Sequence, residues 1–188
     1  MSFLYSDEIL NALSKTISRV REEEVKEVLS LLLETDRIFC DGFGRSGLCT
    51  KGFAMRMMQM GKRAFVIGET TTPAIQAGDL LLICSGSGQT PALLAHAQKA
   101  KAAGAKTAVI TGREDSPLSA DADAVIVIKA PSKFSKSGEA GSVPDTILPM
   151  GTLFEAASAL LYDSMAAAMM EALGETGQSM MLRHANLE

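Results

Sequence analysis

Leu80-Leu81-Leu82-Ile83-Cys84-Ser85-Gly86-Ser87-Gly88-Gln89-Thr90 runs from an unbroken apolar stretch straight into small polar residues. The run is too short for a helix and has no alternation, so it reads as a strand buried on both faces, which is the pattern of a parallel sheet. An Ala/Leu-rich helical pattern begins at once with Pro91, where a missing N–H costs nothing in a first turn. A strand, a Ser/Gly loop and a helix in this order place free amides and the positive end of the helix dipole at the loop. Glycine lets the backbone approach a ligand closely, and the hydroxyls are neutral donors. The loop therefore reads as an anion site, best suited to a phosphate, formed by Ser85, Gly86, Ser87, Gly88, Gln89 and Thr90.

Outward from this stretch, further short apolar runs alternate with helical patterns. Arg37–Asp41, Arg63–Ile67, Lys106–Thr111 and Ala124–Ile128 read as strands. Leu4–Leu33, Gly44–Met60, Pro91–Ala103, Ile147–Leu173 and Gln178–Asn186 read as helices, with a short one near Pro117. Arg21-Glu22-Glu23-Glu24 is the solvated face of the first helix or a break in it. The polar, Ser/Lys/Gly-rich stretch Pro131–Asp145 reads as a loop. The alternation predicts an α/β sandwich with a mostly parallel sheet. With no linker or internal repeat, residues 1–188 read as one domain.

Composition excludes several classes. The chain has 188 residues, a hydrophobic share of 47%, a charged share of 21% and a net charge of −4. It has no basic block, so nucleic acid is not an expected partner. No apolar run approaches the ~20 residues of a membrane span, and Met1–Asn11 lacks a signal peptide's order of charges. Three cysteines, Cys40, Cys49 and Cys84, form no CxxC pair. Cys40 and Cys84 lie in predicted strands and read as reduced core residues of a cytoplasmic protein.

A second glycine loop, Asp41-Gly42-Phe43-Gly44-Arg45-Ser46-Gly47, also follows a strand and matches G-x-G-x-x-G. Glu69 stands about 20 residues further on, where a dinucleotide fold keeps its ribose acid. Three features weigh against a dehydrogenase. Arg45 and Ser46 suit a terminal phosphate or a sugar oxyanion better than a buried pyrophosphate. The second anion loop is superfluous to a dinucleotide site. The chain leaves little room for a separate substrate domain.

Two further stretches carry chemistry. Glu155 opens the long late helix among Leu153, Phe154, Ala156, Ala157, Leu160 and Leu161. On pattern alone it is most simply an exposed helix glutamate, but a carboxylate is costly to bury there unless paired or used, and it is a candidate general base. Arg183-His184 stands in the last residues, where His184 on pattern alone is most simply solvated. His96 reads as a surface or helix-packing residue. The eleven methionines fall mostly on predicted helices, as core or interface filling.

The Ser85–Thr90 loop resembles the sugar isomerase (SIS) domain. Together with Gly42-Phe43-Gly44-Arg45-Ser46-Gly47, Phe53-Ala54-Met55-Arg56, Val66–Ile75, Gly78-Asp79, Pro149–Glu155 and Arg183–Glu188, it is similar to the 6-phospho-3-hexuloisomerase family, nearly end to end. The resemblance implies a three-layer α/β/α sandwich with a five-stranded sheet, of flavodoxin-like type. It implies isomerisation of D-arabino-hex-3-ulose 6-phosphate to fructose 6-phosphate in the ribulose monophosphate route of formaldehyde assimilation. It implies no cofactor, no metal, and a homotetramer with active sites near subunit boundaries. It raises Glu155 and His184 as catalytic residues, with Gly44, Arg45, Ser46 and the Ser85–Thr90 loop binding the substrate. Phe43 and Cys49 depart from the smaller or aliphatic residues expected there, and Gln89 stands where glutamate is common. The alternatives are an isomerase of another phosphosugar and a sensor that binds a phosphosugar without catalysis. Sensors of this type usually carry a helix-turn-helix domain, for which the chain has no room.

Overall fold

A computed structural model describes residues 3–131 and 146–187. The predicted loop at 131–145 lies, but for Pro131, outside the described residues. Five strands, β1 (Arg37–Gly42), β2 (Arg63–Val66), β3 (Leu80–Ser85), β4 (Lys106–Thr111) and β5 (Ala124–Val127), form one all-parallel sheet in the order β2-β1-β3-β4-β5. The Leu80–Ser85 run is its central strand and is buried at every position. This is the burial that an unbroken apolar run requires, because helices cover both faces.

The period of two divides the strand residues between two cores. Cys40, Leu80, Leu82, Cys84 and Ile110 pack on one side, against α1 (Ser6–Ile17), α2 (Glu22–Glu34), α3 (Gly44–Gln59) and α6 (Thr152–Leu173). Phe39, Leu81, Ile83 and Val109 pack on the other, against α4 (Pro91–Ala102) and α5 (Pro117–Ala120). The result is the expected α/β/α sandwich. A short α7 (Gly177–Met181) follows α6.

Three predicted helices differ from the structure, the last of them ending at Met181 rather than Asn186. The first helix is two helices, broken at Ser18–Arg21. Apolar positions keep helical spacing across the break, which hides it from periodicity. The charged cluster marks that break but is not wholly solvated. Glu24 is buried, and its Oε2 accepts a hydrogen bond from the Val127 amide of edge strand β5 at 2.9 Å. Its Oε1 is paired with Arg21. The late helix starts at Thr152 rather than Ile147. Pro149 lacks an N–H, and Met150 takes φ +54°, a conformation no helix contains.

The order of the strands positions the site. The helix after β1 lies on one face and the helix after β3 on the other, so the loops after these adjacent strands diverge. They leave a crevice beyond the carboxyl ends of the sheet.

Candidate functional site

A cleft of about 360 Å3 occupies that crevice, lined by both glycine loops and the start of α6. Of the residues singled out in the sequence, Gly44, Ser46, Ser85, Gly86, Ser87, Thr90 and Glu155 line it. The volume suits a small polar metabolite.

The first loop depends on Gly47. A Cβ there would lie 2.3 Å from the Gly42 carbonyl oxygen, so only glycine lets α3 start this close to β1. The second loop depends on Gly88, which takes φ +61° and whose Cβ would meet the Ser116 hydroxyl at 2.1 Å. The Gly88 amide donates to Ser85 Oγ at 3.2 Å, and the Gln89 amide donates to Ser87 Oγ at 3.3 Å. Each serine oxygen thus accepts from the backbone; Ser85 Oγ also shares a hydrogen bond with Thr90 Oγ1 at 3.5 Å, and the Ser87 O–H proton is left to be donated into the cleft. Thr90 is the N-cap of α4 and no side chain caps that terminus. The first-turn amides there have no intrahelical acceptor. An anion seated at this point would meet hydroxyls, amides and a helix dipole together. Gly88 is buried behind the loop, and the Gln89 side chain is exposed and outside the lining.

On the opposite wall, Glu155 is one turn into α6 and its side chain is 22% exposed. It is neither the free surface glutamate nor an unpaired buried charge. Arg45 Nε lies 3.2 Å from Glu155 Oε2, and Arg45 Nη1 donates to Thr152 Oγ1 at 3.3 Å. The guanidinium is 59% exposed and can swing toward a ligand. Cys49 Sγ meets the Glu155 carbonyl oxygen at 3.5 Å, so the α3 wall also touches the backbone that carries the carboxylate.

Buried polar groups lock the two helices beneath the cleft. Thr50 donates to the Ser46 carbonyl at 2.9 Å and shares a hydrogen bond with the Tyr162 hydroxyl at 3.0 Å. Ser158 donates to the Phe154 carbonyl at 2.8 Å. The Tyr162 ring stacks on Phe53 with centroids 4.6 Å apart. Burial raises the Tyr162 hydroxyl well above its usual range and pushes the Cys84 thiol up to about 11. Cys84, although at the cleft, therefore stays a protonated thiol and offers no thiolate nucleophile. Among the described residues no cluster of three His, Cys, Asp or Glu could hold a metal ion.

His184 is not brought to this cleft within one chain. It lies in a separate groove with Arg56, Asp163, Met170 and Met180. Arg183 anchors the segment: its Nη1 donates to the Gln59 carbonyl at 2.9 Å and to Glu175 Oε2 at 3.0 Å. The Arg183 bond, with one from the Ser179 hydroxyl, holds the Glu175 carboxyl below its usual range. Glu69, the would-be ribose acid, is exposed and outside the lining of the cleft.

Sequence reasoning missed Thr152, which orients Arg45, and Asp41, whose carboxylate meets His96 at 2.7 Å. Thr152 stood inside a motif already singled out. Asp41 and His96 are far apart in sequence, and no local pattern joins them.

Residues 31–159 match the SIS domain family. The chain is 39% identical to a 3-hexulose-6-phosphate isomerase of Bacillus subtilis, over 98% of this chain and 97% of that one. It is 37% identical to a 3-hexulose-6-phosphate isomerase of Mycobacterium gastri, over 97% of this chain and 92% of that one. A crystal structure of a Methanococcus jannaschii protein, from which a 3-hexulose-6-phosphate isomerase function was inferred, is similar with a TM-score of 0.82 and 29% identity. It covers 97% of this chain and 98% of its own.

Proposed function

The chain belongs to the 3-hexulose-6-phosphate isomerases of the SIS domain family, and from that membership we propose that it interconverts D-arabino-hex-3-ulose 6-phosphate and D-fructose 6-phosphate. One observation carries the reading: a carboxylate, Glu155, faces an anion-binding loop across a cleft the size of a sugar phosphate.

The chemistry moves a carbonyl from carbon 3 to carbon 2. Hydroxyls of Ser85, Ser87 and Thr90, with the first amides of α4, hold the phosphate. Fixing the far end of the substrate presents its carbons to Glu155, and orientation of this kind supplies several kcal/mol of barrier reduction. Glu155 takes the proton from carbon 2, which the adjacent ketone acidifies. The carbon–hydrogen electron pair forms the carbon 2–carbon 3 double bond, and the carbonyl π pair passes onto the ketone oxygen, which receives a proton from His184. The resulting 2,3-enediol then gives its carbon 2 hydroxyl proton to His184, the carbonyl forms at carbon 2, and Glu155 returns a proton to carbon 3. Arg45 and Ser46 contact the sugar oxygens. Arg45 is paired with Glu155 before the reaction; as that carboxylate takes the proton and loses its charge, the guanidinium is suited to meet the negative charge developing on the enediolate oxygen.

His184 serves a cleft other than its own chain's in this reading, which requires an oligomer, and the family resemblance makes that oligomer a homotetramer with sites near subunit boundaries. Support comes from large apolar residues left exposed on neighbouring helices, namely Leu48, Met55 and Met58 of α3 and Leu160 of α6. The enzyme works as a single SIS domain in the cytoplasm, where phosphorylated sugars are made and kept. No helix among the described residues is long and apolar enough to cross a membrane.

A coupled assay tests the function. Hexulose 6-phosphate is generated in place from formaldehyde and ribulose 5-phosphate, and fructose 6-phosphate is read out. Product formation that depends on this protein is the expected result. Binding of hexulose 6-phosphate without turnover would make the protein a sensor and discard the enzyme reading.

A further inference from the structure

Asp41 is the last side chain of β1 before the first glycine loop, and it is nearly fully buried. Both of its oxygens are engaged. Oδ1 accepts from the Gly42 amide at 2.8 Å, which orients the peptide that opens the loop. Oδ2 lies 2.7 Å from Nδ1 of His96, on the second turn of α4. An ionised carboxylate only accepts, so in that bond Nδ1 carries the proton.

α4 is the helix whose N-terminus forms the phosphate site, and its buried contacts, Leu93 and Ala100, are apolar. Apolar burial is non-directional and permits small slides and rotations. A hydrogen bond fixes direction as well as distance. The bond from His96 to Asp41 therefore gives α4 a directional tie to β1, on the face of the sheet that α4 covers and beside the start of the first glycine loop. It links the Gly42 amide, Asp41, His96 and α4 to Thr90 at the phosphate end.

We propose that Asp41 and His96 form a positioning pair that sets the spacing of the two glycine loops and so the grip on the substrate's phosphate. The pair touches no reacting atom and acts through the loops. This rests on the phosphosugar reading above.

The test compares wild type with His96→Ala and His96→Asn in the coupled assay. Inorganic phosphate serves as a competing ligand, its binding is also titrated directly, and thermal melting is followed. Asn places an amide N–H near the Nδ1 position. In His96→Ala the KM and the phosphate inhibition constant should each rise about tenfold, as for loss of one hydrogen bond to a charged group, with kcat changed less than about twofold. His96→Asn should restore both constants to within about threefold of wild type. Unchanged KM and phosphate binding in His96→Ala would overturn the proposal. So would a fall in kcat at constant KM, failure of Asn to rescue, or a melting shift alone. If wild type does not turn over hexulose 6-phosphate, the isomerase reading fails, and direct phosphate titration of the same variants still decides the positioning role.

Discussion

Glu155→Gln is expected to lower kcat by about 100- to 10,000-fold while leaving phosphosugar binding within a few fold, the range for removing a general base. The amide keeps the size of the side chain and a polar contact for Arg45, so the cleft keeps its shape. What it loses is the ability to take a proton from carbon. The phosphate grip, on the opposite wall, is untouched. Single-turnover and steady-state rates with the variant, next to a binding titration, separate the two effects. Near-normal turnover would remove Glu155 as the base. A large loss of binding with little loss of turnover would make it a ligand of the sugar instead.

The second large effect is expected at the C-terminus. Removal of residues 184–188, or His184→Ala, should lower kcat by roughly 100-fold or more, as for loss of an acid–base group, with a melting curve close to wild type. The deletion has to begin after Arg183, because Arg183 holds the segment to the Gln59 carbonyl and to Glu175. Cutting before it would confuse a loss of anchoring with a loss of chemistry. His184 lies in a groove apart from the Glu155 cleft, so its action there requires a neighbouring chain. Coexpression of Glu155→Gln with His184→Ala should then regain activity, because some mixed sites carry both groups. A fully active His184→Ala variant would discard the role, and no gain on mixing would discard the neighbouring chain as its source.

The strands were readable because contiguous apolar runs such as Leu80–Ile83 have few alternatives in a sheet covered on both faces. Helix ends were less readable, since they are set by single residues rather than by periodicity. Ile147 and Leu148 continue the apolar pattern of α6, yet Pro149 and Met150 keep them out of it. The break between α1 and α2 was hidden for the converse reason: apolar spacing runs through it.

At the cleft, the loop residues were legible because their chemistry is local: glycines for close approach, hydroxyls for donation, a helix start for the dipole. Glu155 was singled out by the apolar residues around it. Its partner Arg45 was singled out separately, and nothing in the sequence joined them, because that contact exists only once α3 and α6 pack side by side. Asp41 and His96 were out of reach for the same reason. His96 read as a surface or packing residue until α4 packed on the face of the sheet to which Asp41 points. Tertiary pairs of this kind are where local pattern carries no information.

The central claim is proton transfer at carbon 3 of fructose 6-phosphate through a 2,3-enediol. Incubating fructose 6-phosphate with the protein in deuterium oxide to equilibrium, and reading the product by proton NMR, tests it most directly. The account predicts loss of the carbon 3 proton signal, with the carbon 1 protons retained and the loss slowed about 100- to 10,000-fold with Glu155→Gln. Retention of the carbon 3 proton, or exchange at carbon 1 in its place, would contradict it.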